Sequence, residues 1–316
     1  MTSPQAWLLT GGLHGMMSQV HGLARMLGLT HQHYICRLNK PWRWLPSNLI
    51  APKTKMFADF PQGKPPKVVI SCGRHAALAA LILKRTYGEA IYLIHIQDPL
   101  VGHDEFDTII APKHDGLVGD HVIETVGALY EFEVKHHSRP ACIANDQRKV
   151  VAVYVGGPTR NRPWQSKDLV AAMAVLVSAA SLQHLKLVIV PSNRTPHHLY
   201  PELEDIAGTQ HTFIPQVDAV MYQALLQYAD YFVVTPDSVS MISEAASTGK
   251  PIYLLPEVKQ APSKRFGIFY AQLFEQGIIR SWDGRFEDWV YEPLNESKRI
   301  APMVLERMKY VDTELN

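Results

Sequence analysis

The run Thr235-Pro236-Asp237-Ser238-Val239-Ser240-Met241-Ile242-Ser243-Glu244 follows a short apolar stretch and opens a helical pattern. A helix start presents unpaired backbone N–H groups and the positive end of the peptide dipoles, so it favours an anion. Asp237, Ser238 and Ser240 add a carboxylate and hydroxyls at that end. Glu244, further along the helix, has the chemistry to accept both hydroxyls of a ribose. An N-cap followed by a solvated glutamate accounts for the same residues, and local sequence does not separate the two accounts.

Two other strand-to-loop junctions in the same half carry related groups. Gly156-Gly157-Pro158-Thr159-Arg160-Asn161-Arg162 ends an apolar run with two glycines, which let backbone approach a phosphate, and with arginines able to neutralise a diphosphate. An ordinary strand-to-helix turn is the plainer reading, since neither a full GxGxxG nor a Walker A follows. Ser192, Arg194 and Thr195 come after the next apolar run. The expected donor site is therefore Gly156, Gly157, Arg160, Ser192, Arg194, Thr195, Asp237, Ser238, Ser240 and Glu244. Three strand ends converging on one edge weigh more than any single motif.

In the first half, Thr10-Gly11-Gly12-Leu13-His14-Gly15, with Gln19 beyond it, forms another such turn. His14 is a general-base candidate for an acceptor hydroxyl, because an imidazole titrates near neutral pH. Asp98, in Gln97-Asp98-Pro99, is the second. Gly11, Gly12, Gly15 and Gln19 complete the acceptor-side set. The doublets His136-His137 and His197-His198 lack the spacing that puts two ligands on one helix face, so no metal site is expected.

These junctions need a scaffold, and the apolar pattern supplies one. Short runs at Ala6–Thr10, His33–Arg37, Lys67–Ser71, Ile91–His95 and Thr108–Ala111 alternate with helical stretches from Met16 to Leu27 and from Gly73 to Arg85. The pattern restarts with Val150–Val155, a helix from Lys167 to Leu182 capped by Ser166, Leu185–Val190, a helix from Asp218 to Tyr228, Tyr231–Val234, a helix from Val239 to Thr248, and Ile252–Leu255. Strands alternating with helices imply parallel sheets with crossovers. The expected fold is α/β: two doubly wound Rossmann-like domains facing a cleft, ligands at the carboxyl ends of the strands. The expected division is 1–140, 150–290 and a C-terminal segment 291–316 crossing back to the first domain, with polar Ser138–Lys149 as linker. Val170–Leu182 reads as a buried helix, too short to span a bilayer.

At 316 residues, with 47% hydrophobic and 19% charged residues, the chain has the length and composition of two globular domains. A formal net charge of +1 argues against a nucleic-acid surface, which needs concentrated basic charge. Cys36, Cys72 and Cys142 are far apart and odd in number, which suits a reducing compartment, and no signal peptide opens the chain, so a cytoplasmic location is expected. Lys40-Pro41-Trp42-Arg43-Trp44 is the most basic-aromatic stretch. It reads as a cleft-rim loop, or as a peripheral contact with the inner membrane through Trp42 and Trp44.

The order of several motifs resembles the "elongated mitochondria" family of mitochondrial-fission proteins, whose bacterial members are described as candidate glycosyltransferases. The residues that carry the resemblance are Gly15 and Gln19, Ile96-Gln97-Asp98-Pro99, Phe106-Asp107 and Ala111-Pro112-Lys113-His114-Asp115. Thr125-Val126-Gly127-Ala128-Leu129, Gly156-Gly157-Pro158, Ser192 with Arg194-Thr195-Pro196, Asp237 through Ala245, Gly249-Lys250-Pro251 and Tyr291-Glu292-Pro293-Leu294-Asn295 continue it. The chain departs at Thr10-Gly11-Gly12, where many members show Asp-Gly, and at Ser192-Asn193-Arg194, where many show Ser-Arg-Arg. The resemblance implies a glycosyltransferase-B-like fold, a nucleotide-sugar as donor substrate in the C-terminal domain with Glu244 on its ribose, an unknown acceptor on the N-terminal side, and no cofactor or metal. Two alternatives come with it: a non-catalytic scaffold that recruits a protein partner, as plant members do, and a nucleotide-sugar epimerase.

Overall fold

The computed structural model describes residues 5–130, 137–158, 165–255 and 263–314; the side chains of His14 and of residues 310–314 lie outside the described set. The chain divides into two compact units, 1–131 with 295–316, and 132–294.

The first unit holds strands β1 (Ala6–Thr10), β2 (His31–Ile35), β3 (Val68–Cys72), β4 (Tyr92–Ile96), β5 (Thr108–Pro112) and β6 (Val122–Thr125), with helices α1 (His14–Met26) and α2 (Arg74–Tyr87). Its sheet is parallel in the order β2-β1-β3-β4-β5-β6. Side chains alternate across a strand, and here both faces are apolar. Ala6, Leu8, Val68, Ile70, Tyr92 and Ile94 join Val20, Leu23 and Ala24 of α1 in one core. Trp7, Leu9, Val69 and Leu93 join Ala77, Leu78 and Leu81 of α2 in the other. Burial on both faces explains the unbroken apolar runs.

The second unit holds β7 (Val150–Val155), α3 (Ser166–Leu182), β8 (Lys186–Pro191), α4 (Tyr200–Ala207), β9 (Thr212–Phe213), α5 (Ala219–Tyr228), β10 (Tyr231–Val234), α6 (Val239–Ala246), β11 (Ile252–Leu254), α7 (Lys264–Glu275) and β12 (Ile279–Ser281). Its parallel sheet runs β12-β11-β10-β7-β8-β9. The order reverses beside β7, so β7 and β10 are neighbours although their last residues, Val155 and Val234, are 79 positions apart in the chain.

The last helix, α8 (Glu296–Glu314), belongs to the first unit. Ile300, Ala301 and Val304 are buried against the α1 face of that core. Burying a Val- or Ile-sized side chain contributes about 2 kcal/mol. Polar bonds fix the helix start: Glu296 accepts from the Val126 N–H at 3.0 Å, and Arg299 donates to the Glu124 carbonyl at 2.6 Å.

Three local expectations are corrected. Ser166 is the first helical residue of α3 rather than its cap; Gln165 holds that place without a side-chain bond. α3 is not buried all round: Leu169, Met173, Leu176 and Ala180 face the core, whereas Val175 and Leu182 are exposed. The polar stretch from 138 to 149 is not a free linker. It lies within the second unit, where Arg139 donates to the carbonyls of Ile143 and Asp146 and Arg148 pairs with Asp146 at 2.6 Å. Short edge strands β6, β9 and β12, and helices α4 and α7, are elements the apolar pattern did not announce.

Candidate functional site: the carboxyl edge of the second sheet

In a doubly wound sheet, the crevice for ligands opens outside the carboxyl ends of the strands where the order reverses. In the second unit those ends are Val155-Gly156-Gly157 after β7 and Thr235-Pro236-Asp237 after β10, with Ser192–Thr195 after the neighbouring β8. Asp237 joins all three. Its carboxylate is fully buried and accepts from Arg194 at 2.6 Å, from the Gly157 N–H at 3.1 Å and from the Thr235 hydroxyl at 2.6 Å. Thr235 Oγ1 in turn accepts from the Gly156 N–H at 2.7 Å. Thr195 Oγ1 lies 2.7 Å from the carbonyls of both Val155 and Gly156, one of which takes its proton, and accepts from the Ser192 N–H at 2.9 Å. A buried carboxylate is tolerable only with donors on every side, and Asp237 has them.

The two glycines serve this network in a way the sequence reading did not anticipate. Neither has a positive φ. A Cβ on Gly156 would stand 2.0 Å from a carboxylate oxygen of Asp237, and one on Gly157 would stand 1.9 Å from the Arg194 carbonyl oxygen. Their close approach is therefore to the protein's own groups, and their N–H donors are turned inward to Thr235 and Asp237. The group that faces outward is Arg194, whose side chain is 45% exposed while Asp237 anchors one of its nitrogens.

Ser238 caps α6 and accepts from the Met241 N–H. Pro236's carbonyl accepts a short hydrogen bond from Tyr270 on α7, which fixes the turn ahead of that cap. Ser240 lies in the first turn of α6, partly exposed. Glu244, deeper in α6, accepts from the hydroxyl of Tyr222 on α5. Desolvation pushes its carboxyl up to about 7, with the Tyr222 bond acting in the opposite direction. A carboxyl poised near neutrality is a common property of functional sites. Tyr222 was not among the sequence-derived candidates, because nothing in a helical tyrosine's surroundings along the chain marks its partner. Arg160 lies outside the described residues.

Lys250, in the Gly249-Lys250-Pro251 motif, has a structural part. Its ammonium donates to the carbonyls of Gln227, Ala229 and Leu226 at 2.5, 2.6 and 3.2 Å, closing the end of α5. Burial pushes it down to about 8, opposed by Asp230. Lys250→Met leaves those carbonyls without their donor and is expected to lower stability by about 1–3 kcal/mol, read by urea unfolding; an unchanged midpoint removes this role.

In the first unit, the structure separates the acceptor-side candidates. His14 begins α1, its side chain outside the described set. Gln19 is buried, and its amide N–H donates to the Gly15 carbonyl one turn earlier, at 2.9 Å. Gly12 has φ +89° and sits against Ile35 and Arg37, a conformation that favours glycine; Gly11 has open space at its Cβ position. Asp98 is not a free base: Oδ1 accepts from the Leu100 N–H at 2.7 Å and pairs with His103 Nε2 at 2.9 Å. His103, missed in the sequence, is thereby oriented by a carboxylate, with its other ring nitrogen left to act. Among the described residues, no group of three His, Cys, Asp or Glu side chains is placed to hold a metal ion.

Against known proteins, the sequence profile of the family described as Mitochondrial fission ELM1 matches residues 14–308. The Mitochondrial fission protein ELM1 of Arabidopsis thaliana is 25% identical over 389 aligned positions, covering 95% of this chain and 90% of that protein. Among solved structures, the UDP-GlcNAc 2-epimerase of Neisseria meningitidis bound to UDP-GlcNAc aligns with a TM-score of 0.54 at 14% identity, covering 95% of this chain and 99% of the other. The glycotransferase of kitacinnamycin aligns at 0.52 and 15% identity, covering 99% and 95%. At such identities the likeness is one of fold, and that fold is the glycosyltransferase-B-like arrangement the motif order implied.

Proposed function

The chain belongs to the mitochondrial fission ELM1 family, and from that premise we propose that its second unit binds a nucleotide-sugar and that the protein is a glycosyltransferase moving the sugar to a hydroxyl acceptor without a bound metal. The observation that carries this reading is the pinned network at the reversal point of the second sheet, with Arg194 held by Asp237 and facing outward beside the cap of α6. A guanidinium fixed in place costs no reorganisation when a leaving diphosphate gains charge. Glu244 accepts the ribose hydroxyls once its carboxyl ionises. In the first unit, His103 oriented by Asp98 takes the acceptor proton. The likeness in fold to a UDP-GlcNAc 2-epimerase bound to UDP-GlcNAc supports the substrate class, and fold by itself does not decide the reaction.

Thermal unfolding with UDP, GDP, ADP, dTDP and CMP tests the pocket. A ligand at ten times its dissociation constant stabilises by about 1.4 kcal/mol, a rise of roughly 3–6 °C for units of this size. One responder is expected, and its response should vanish in Arg194→Ala. A flat panel from folded protein refutes the nucleotide site and favours the protein-recruiting reading. If a responder's sugar conjugate is isomerised with no acceptor present, the protein is an epimerase and the transferase assignment fails.

A further inference from the structure

A second surface, independent of the nucleotide reading, lies on the first unit. Between β2 and β3 the chain makes short 3-10 turns at Trp42–Trp44, Ser47–Leu49 and Thr54–Met56. Trp42 turns partly into the α2-side core, which corrects its expected surface role. Trp44 and Leu49 do not: they are 66% and 69% exposed, and Leu45 is exposed beside them. Their exposure is built, not loose. Arg74, at the start of α2, donates to Ser47 Oγ at 2.9 Å, to the Arg43 carbonyl at 3.0 Å, to the Trp42 carbonyl at 3.3 Å and to the Leu45 carbonyl.

Next to this segment, the loop after β4 is strained. Gln97 and Leu100 have φ of 79° and 64°, a region that residues with a Cβ rarely occupy. Leu100 nevertheless stays exposed and, with Trp44, Leu45, Pro46, Asn48 and Arg74, lines a recess of 380 Å³. Apolar side chains held outward by a pinned turn and a strained loop are not explained by folding.

The charge around them selects the partner. From 37 to 58 the chain carries Arg37, Lys40, Arg43, Lys53 and Lys55, all exposed, and no acidic residue, in a protein whose net charge is only +1. The two basic stretches are brought side by side: Asn39 N–H donates to the Met56 carbonyl at 2.8 Å, Ala58 N–H to the Arg37 carbonyl at 2.9 Å, and Leu38 bridges to Phe57. Lys40 lies 5.2 Å from the centre of the Trp44 ring. Tryptophan and leucine at the tip of a cationic, acid-free segment match the interface of an anionic bilayer, where the rings sit at headgroup level and the cations meet the phosphates.

We propose that the segment from 37 to 58, with Leu100, is a docking surface for an anionic phospholipid membrane. No helix among the described residues is long and apolar enough to cross a membrane, so the contact is peripheral. The test is co-sedimentation with phosphatidylcholine vesicles, plain or with a third of phosphatidylglycerol. The full chain is expected to partition onto the anionic vesicles and to be released by salt. Lys40→Glu with Arg43→Glu should weaken partitioning about ten-fold or more, since each cation near the surface is worth roughly five-fold. Trp44→Ser with Leu49→Ser should weaken it by a similar factor while unfolding at the wild-type temperature. Leu182→Ser with Val290→Ser, still more exposed apolar positions elsewhere, should bind as wild type. Wild-type indifference to anionic vesicles overturns the proposal. So does a Trp44/Leu49 variant that binds undiminished, which would mean simple adsorption of charge, or a control variant that loses as much.

Discussion

Asp237→Ala is expected to lower the stability of the second unit by about 3 kcal/mol, and melting by roughly 6–12 °C. The substitution removes the common acceptor of Arg194, the Gly157 N–H and the Thr235 hydroxyl. Arg194 keeps 45% of its side chain in water, so releasing it costs little. The cost falls on the buried Gly157 and Thr235 donors, each about 1–3 kcal/mol when left unsatisfied. Gly156→Ala approaches the same carboxylate from the other side, its Cβ 2.0 and 2.2 Å from the two oxygens. It too should destabilise by several kcal/mol on its own, but by far less once Asp237 is alanine, because the clashing oxygens are gone. Strictly additive losses in that cycle, measured by denaturant unfolding, would show that the carboxylate is not what the glycine makes room for.

Glu244→Gln is expected to weaken binding of the responding nucleotide by about ten- to a hundred-fold, the worth of hydrogen bonds to a charged acceptor. The pH dependence is the sharper test. The Glu244 carboxyl is raised from its ordinary value to about 7, first by desolvation. A ligand whose hydroxyls donate to the carboxylate favours the ionised form, so wild-type affinity should rise from pH 6 to pH 8. The glutamine variant carries no such dependence, and subtracting its profile removes the ligand's own phosphate titration. Stability runs the other way. A raised folded-state pKa means that this group's contribution is whole below about 4.5 and is lost as pH rises through about 7. The variant should therefore gain on the wild type across that window, by about 2 kcal/mol given that the residue keeps some exposed surface. Equal affinities at pH 8 would remove the ribose role, and parallel stability profiles would remove the raised carboxyl.

The helix cap at Asp218, accepting from Met221 at 2.8 Å, illustrates what is readable locally: donor and acceptor lie three residues apart. The strand ends at Val155 and Val234 are legible for a similar reason, since buried parallel strands leave unbroken apolar runs that stop at glycine or a polar turn. β12 is not, because only its first residue is buried, and α7 is blurred by Gly267 inside its apolar face. Edge elements bury too little to leave a pattern.

By itself, then, the sequence determined the α/β alternation, the polar groups at three strand ends of the second half, and the basic, acid-free segment around Trp44. Which groups face outward was decided only in three dimensions. Arg194 and Asp237 stand 43 residues apart and pair because β8 and β10 flank β7, so the loops after them meet over its carboxyl end. Tyr222 meets Glu244 because α5 packs on β7 and α6 on its neighbour β10. The Gly-Gly amides turn inward because that pairing places a buried carboxylate above them. Local periodicity depends on neighbours a few residues away, whereas the satisfaction of a buried charge depends on whichever strand the topology sets beside it.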